Sequence, residues 1–349
     1  MRILKSAGDS VMLFWQKSHA YFRRKHRMKA IRTLERRDSS LTIGSALLGR
    51  IRERRASIRQ AVHDGDTLNV EANGDFGVRL LGIDTPEVSF RLPPGRAFPM
   101  ISSPAWKKFL TDPFADDYGP FSRELPAGLI RHIQAAAGPT AAETHYDAAR
   151  QSEDAFESLI EHDMEVLEQT PDTFRFFLAF AFEVMDGYGR FLCYINREQP
   201  DRNQPEPRPL SYNERLLELG RAFPYFIWPN VNPYRRANII SDAVIPPGMA
   251  KTLADDDSTI RQARQSVGNA RANHLGIFDA MNPVTLEPFE LRWLASRSAP
   301  HRWVIDLTRN DDVLLRPENY YTIPHPEDRL FIPEHFVPLF VERGWKREA

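Results

Sequence analysis

Two dipeptides, Asp64-Gly65 and Asn73-Gly74, constrain the fold of this chain more than any other feature. Each stands between runs that alternate apolar and polar residues: Ala56 to His63, Asp66 to Glu71, and Phe76 to Ile83. Glycine accepts positive φ at no steric cost, so Asp-Gly or Asn-Gly in that setting marks a two-residue hairpin turn. Two such turns in succession predict a three-stranded antiparallel meander, which is how a small Greek-key barrel begins. Asp66 then stands at the mouth of the first hairpin. Pro86 excludes the helical region for Thr85, so the third strand leaves extended and Asp84, Thr85 and Glu87 project from its end.

Two further runs, Phe174 to Met185 and Phe191 to Ile195, read as strands flanking Asp186-Gly187-Tyr188-Gly189 and bring the strand count to five. Asp147 to Glu168 places Ala155, Phe156, Leu159 and Ile160 at helical spacing. Ser211-Tyr212-Asn213-Glu214 is a capping box opening a helix that Gly220 closes. Asp255-Asp256-Asp257-Ser258 opens another, with Ile260, Ala263 and Val267 on one stripe and Gly276 beyond its end. The expected class is mainly β with α: a five-stranded OB-fold-like Greek-key barrel with about three helices, a helical insertion and a Pro-rich C-terminal extension.

Three charged motifs fall on this frame: Val62-His63-Asp64-Gly65-Asp66-Thr67, Arg79-Leu80-Leu81-Gly82-Ile83-Asp84-Thr85-Pro86-Glu87, and Asp186-Gly187-Tyr188-Gly189-Arg190. They supply acids for a hard metal, a further carboxylate and two guanidinium groups for a phosphate. Singly, each has a bland reading as a turn, a strand exit or a hairpin with an exposed arginine. Together they resemble the active site of the staphylococcal nuclease (thermonuclease) family, with its aspartate after a DG turn, its R-x-x-x-x-D-T-P-E strand and its later Y-G-R.

The resemblance implies roles. Asp66, Asp84 and the carbonyl of Thr85 would hold Ca2+; Arg79 and Arg190 would donate to the phosphate; Glu87 would orient or deprotonate the attacking water. Tyr188, Phe226 and Trp228 stand where substrate contacts are expected, although core packing is an equal reading for Phe226 and Trp228. Alternation alone puts Arg79 and Asp84 on opposite faces, so their convergence is expected from the resemblance only. The implied activity is Ca2+-dependent hydrolysis of DNA or RNA with little sequence specificity, since phosphate contacts do not read bases. The competing reading is a non-catalytic scaffold that binds nucleic acid or a protein partner; a third is a barrel whose cleft the insertion blocks.

The resemblance covers most of residues 53–280, with two departures. An insertion at 88–146, rich in proline and with one expected helix from Pro126 to Ala137, replaces a short loop, and Gly187 stands where the family often has lysine. Residues 281–349 are expected to wrap onto the barrel as a Pro- and aromatic-rich extension, with strands at Trp303 to Leu307 and Asp328 to Pro333. Residues 1–52 form a basic appendage, in which Phe22 to Arg37 reads as a solvated basic helix, with a nucleic-acid arm, an anionic-membrane contact or an Arg-rich organelle address as the functional alternatives.

Hydrophobic residues make up 42% and charged residues 27%, which suits a globular chain and a monomer. No early apolar run suffices for a secretory signal peptide and none elsewhere for a membrane span, which leaves compartment open. The single Cys193 excludes an internal disulfide and a cysteine-based zinc site. The net charge of −1 conceals an asymmetry, because residues 1–60 hold 16 Lys/Arg against 4 acids and the remainder holds 30 against 43. An acidic body would repel a polyanion that the basic head would attract. Deleting residues 1–50 is therefore expected to weaken binding to long single-stranded nucleic acid most at low salt, and to flatten the dependence of log Kd on log salt. Titrations at several salt concentrations check it, and an unchanged slope removes the head as a nucleic-acid contact.

Overall fold

The alternating run Phe76 to Ile83 does not continue as one strand, and that break organises the chain. The computed structural model describes residues 34–36, 42–44, 46–48, 50–51, 54–55, 70–72, 76–95, 97–187, 189–231 and 239–349. They divide into a smaller unit, Met1–Val78 with Met185–Phe191, and a larger one, Arg79–Val184 with Leu192–Ala349.

In the smaller unit Leu34–Arg36 (β1) pairs antiparallel with Thr42–Gly44 (β2). Ala46–Leu48 (β3), Arg50–Ile51 (β4), Arg54–Arg55 (β5) and Val70–Ala72 (β6) follow, β3 pairing with β6 and β4 with β5, both antiparallel. Leu34–Arg36 is thus extended where the basic helix was expected to end, and the rest of that expected helix lies outside the described residues. Both Gly-containing turns, Asp64-Gly65 and Asn73-Gly74, also lie outside them.

The later strands are Val78–Leu80 (β7), Gly82–Asp84 (β8), Phe176–Met185 (β9), Phe191–Arg197 (β10), Phe223–Ile227 (β11), Arg302–Asp306 (β12), Val313–Leu314 (β13), Arg329–Pro333 (β14) and Lys346–Arg347 (β15). Three sheets result, in the orders β7-β10-β9, β12-β14-β11-β8 and β13-β15. In the four-stranded sheet β11 runs parallel to β14, with Phe226 opposite Leu330, whereas β8 and β12 are antiparallel to their neighbours.

This corrects the expected class. The described residues form a mixed α/β arrangement, about 41% helix, with open sheets and no closed barrel. The five-stranded OB-fold-like barrel fails for two local reasons. At Gly82, φ is +74° and the chain changes partner, so β7 joins β10 while β8 joins β11. The other edge of β11 is then taken by β14, leaving no free edge there for barrel closure. The C-terminal segment supplies β12 and β14, so the boundary expected at residue 280 passes through this sheet.

The helices are Pro104–Thr111 (α1), Ala127–Ala136 (α2), Ala141–Val166 (α3), Tyr212–Glu218 (α4), Ala250–Asp256 (α5), Ser258–Ala272 (α6), Pro288–Ala295 (α7) and Val337–Glu342 (α8). Local signals account for several of them. The Ser211 hydroxyl accepts from the Glu214 amide while the Glu214 carboxylate accepts from the Ser211 amide, completing the capping box of α4. Asp257 accepts from the amides of Thr259 and Ile260 at the start of α6, whose buried stripe includes Ile260, Ala263 and Val267.

Among the described residues two large hydrophobic clusters and two small ones follow, and the large ones matter here. In one, Trp106, Phe109, Leu129 and Ile133 of the insertion pack with Phe289, Leu291 and Leu294 of the C-terminal segment. In the other, Phe226 and Trp228 pack with Val267, Ile305, Leu330 and Phe340. The insertion and the extension, each irregular when read alone, bury one another. Cys193 is buried, and burial pushes its thiol up to about 11, which suits an inert packing residue. No helix among the described residues is long and apolar enough to cross a membrane.

A Cβ at residue 82 would lie 2.8 Å from the Tyr194 hydroxyl, which donates to the Val231 carbonyl. Gly82→Ala therefore combines a left-handed backbone with a clash, and should lower unfolding free energy by about 1–3 kcal/mol in denaturant titrations. A change within error would show that the chain can switch sheets here without glycine.

Candidate functional site

The residues that leave β8 meet a set of side chains from far along the sequence. Leu81 donates its amide to the Cys193 carbonyl, and the Asn213 side-chain amide donates to the Leu81 carbonyl, which fixes the chain at the kink. Beyond Gly82 the alternation restarts out of phase. Arg79 and Asp84, five residues apart, consequently converge, with Arg79 Nη2 3.0 Å from Asp84 Oδ1.

Asp84 is only 3% exposed and is held more tightly by a residue the sequence did not point to. Arg292, on α7, places Nη1 2.9 Å from Asp84 Oδ1 and Nη2 2.7 Å from Oδ2. The same Nη1 lies 2.8 Å from Glu87 Oε1. This is the planar fork that distinguishes arginine from lysine. α7 holds the fork by burying Leu291, Trp293 and Leu294 around it. Its N-terminus is closed by reciprocal bonds between Glu287 and Glu290, and Arg329 pairs with Glu287 at 2.5 Å. The Tyr320 hydroxyl and His132 Nε2 both meet Glu290 Oε1.

His145, in the first turns of α3, completes the group. Its Nε2 accepts the Glu87 amide at 2.8 Å, so the neutral ring carries its proton on Nδ1. Burial lowers its pKa to about 4; the Asp84 charge opposes that shift and Arg292 reinforces it. Burial raises the Glu87 carboxyl above its ordinary value, with Arg292 opposing and the neighbouring Asp84 adding to the rise. Burial would lower the Arg292 pKa, but the Asp84 and Glu87 carboxylates outweigh it and raise the value.

The expected site residues therefore separate. Arg79, Asp84 and Glu87 are brought together, with Thr85 half-buried between the two acids. Asp66 and Tyr188 lie outside the described residues. Arg190 belongs to the smaller unit, where its Nε lies 2.8 Å and its Nη2 2.7 Å from Asp186 Oδ2. The backbone of the same turn closes with Asp186 N donating to Arg190 O. Phe226 and Trp228 are buried in the core, and the Trp228 indole donates to the Ala243 carbonyl, so neither presents a ring to a base.

Sequence reading missed Arg292 and His145. Glu287-Pro288-Phe289-Glu290 does announce a helix start, but nothing nearby says that Arg292 faces Asp84. His145 sits at no metal-ligand or triad spacing.

Of the Ca2+ site implied by Asp66, Asp84 and Thr85, Asp66 lies outside the described residues, and the geometry at Asp84 does not suit a cation. A hard cation needs open carboxylate oxygens, and both oxygens of Asp84 are occupied by guanidinium donors. Among the described residues no group of three or more His, Cys, Asp or Glu is placed to hold a metal. No family model and no curated protein matches the chain.

His145 makes stability depend on pH. Its folded pKa lies below its unfolded value of about 6.5, so between 6.5 and 4 the unfolded chain binds the extra proton and stability falls with pH. The His145→Gln variant keeps an acceptor without titrating. From about pH 7 to about pH 4 the wild type should lose about 3 kcal/mol more than this variant, measured by denaturant unfolding. Equal losses would mean that His145 protonates freely in the folded state.

Proposed function

We propose that the protein hydrolyses phosphodiester bonds in DNA or RNA with little sequence specificity. The observation that carries this reading is the meeting of Arg79 with Asp84, which strand alternation alone would prevent, beside Glu87, which Arg292 joins to Asp84. A phosphodiester resists attack because its oxygens are anionic and gain charge in the transition state, so fixed cationic donors lower the barrier. The Arg79 side chain is 32% exposed and binds Asp84 through one nitrogen, which leaves it other N–H groups for a phosphate oxygen. Glu87, 27% exposed and with its pKa raised by burial, suits a base that takes a proton from water as it attacks phosphorus, the P–O bond to the leaving oxygen breaking and that oxygen taking a proton from solvent. No step is assigned to a metal.

The capture of Asp84 by Arg292 favours a second reading, in which the same surface binds nucleic acid or a protein partner without cleaving anything. Incubation of purified protein with single-stranded DNA and with RNA decides between them. Under the first reading Glu87→Gln binds a labelled strand as the wild type does but cleaves at least about 100-fold more slowly. Wild-type binding with no cleavage of either nucleic acid would establish the second.

A further inference from the structure

We infer that Arg292 is the resident cation of this site, a guanidinium that takes both oxygens of the Asp84 carboxylate, and that the site binds no Ca2+. Arg292 Nη1 bridges Asp84 Oδ1 and Glu87 Oε1 at 2.9 and 2.8 Å while Nη2 takes Asp84 Oδ2 at 2.7 Å. An ion ligated by Asp84 would need a carboxylate oxygen that the guanidinium already occupies.

Two guanidinium groups, from Arg79 and Arg292, already balance the two carboxylates of Asp84 and Glu87. A divalent ion added beside them would leave an excess of positive charge in a half-buried site, which its low polarity penalises. Arg292 is also poorly placed to leave. It projects from α7 between the buried side chains of Leu291 and Trp293, and the helix is fastened by Pro288 at its first turn and by the Glu287–Arg329 and Glu290–Tyr320 contacts. A swinging gate would instead be expected on an exposed, loosely packed segment. The guanidinium is therefore a fixture, and the positive charge that a metal would supply comes from the chain itself.

The inference rests on the proposed function only for the nature of the substrate anion, and it is tested without activity. Ca2+ is titrated calorimetrically into the full chain and into Arg292→Ala, and each is melted with and without Ca2+ at about 10 mM, a concentration that fills even weak sites. The wild type should show neither heat of binding nor a shift in Tm. Arg292→Ala, which leaves Asp84 buried with half its pairing, should melt about 5–10 °C lower, and Ca2+ should restore roughly half of that loss by binding the vacated position. Saturable Ca2+ binding by the wild type overturns the inference. So does an Arg292→Ala protein that Ca2+ leaves unchanged, because the guanidinium would then not be standing in for an ion. Should Arg292→Ala fail to fold, Arg292→Gln, which keeps much of the side-chain volume but carries no charge, takes its place with the same expected Ca2+ response, while the wild-type titration remains decisive. If the protein cleaves nucleic acid, chelator should alter the rate by less than about twofold; absence of cleavage would refute the proposed activity and leave the Ca2+ titrations to judge the cation.

Discussion

The bidentate pair between Arg292 and Asp84 joins a strand end near the start of the larger unit to a helix two hundred and eight residues later. Its two charges lie where water scarcely reaches Asp84, so removing either alone takes the other's main partner and leaves Asp84 with Arg79 or Arg292 with Glu87 only, at a cost of up to about 3–5 kcal/mol. Much of the surrounding structure serves that condition. β8 is pinned to β11, with Asp84 opposite Phe223, and α7 is capped, paired and packed on its apolar sides. Arg79 adds a second donor to Asp84, and the Glu87 carboxylate shares Nη1 with it.

The insertion and the C-terminal segment are the means by which these groups are delivered. Residues 88–146 bring α1, α2 and the first turns of α3, the last of which carries His145. Residues 281–349 bring α7 and the two strands that extend the sheet beyond β11. The two segments supply each other with core partners, Trp106, Phe109 and Ile133 against Phe289, Leu291 and Leu294. Such reciprocal burial supplies most of the stabilisation available to segments this short, at roughly 1.5–3 kcal/mol for each fully buried large side chain. The two departures from the expected domain plan are thus one structural feature.

How far the sequence disclosed this depended on whether the determining contact was local. The caps of α4 and α6 were legible because Ser211 with Glu214, and Asp257 with Thr259, satisfy their bonds within a single turn. α2 and β14 were legible within a residue or so at each end, because apolar spacing and proline bracket them. Sheet order was not legible. Partner choice at Gly82, and the parallel pairing of β11 with β14, depend on residues a hundred or more positions apart, and alternation carries no information about them. In the site, the motif identified Arg79, Asp84 and Glu87, but their meeting required a kink that only the left-handed backbone at Gly82 reveals. Arg292 and His145 were illegible for a simpler reason: a single arginine on a helix and a single histidine have many satisfied states and no spacing that distinguishes one of them.

A carboxylate motif defines chemistry only together with what occupies its oxygens. Asp84 facing solvent would be a hard anionic ligand, whereas Asp84 held in a guanidinium fork is a neutralised anchor whose remaining effect is to orient its neighbours. The polarisation runs outward from it. The Asp84 charge works against the desolvation that keeps His145 neutral, and it helps burial to raise the Glu87 carboxyl. Neutral His145 in turn accepts the Glu87 amide and so fixes the backbone of the acid beside it. Glu87 is left as the one acid of the pair with appreciable exposure, 27% against 3% for Asp84, and with a proton affinity set by burial and by its contact with Arg292. In the reaction proposed above, the buried acid would act through position and the more exposed one through its proton, a division of roles that the motif alone, in which both are simply carboxylates, does not contain.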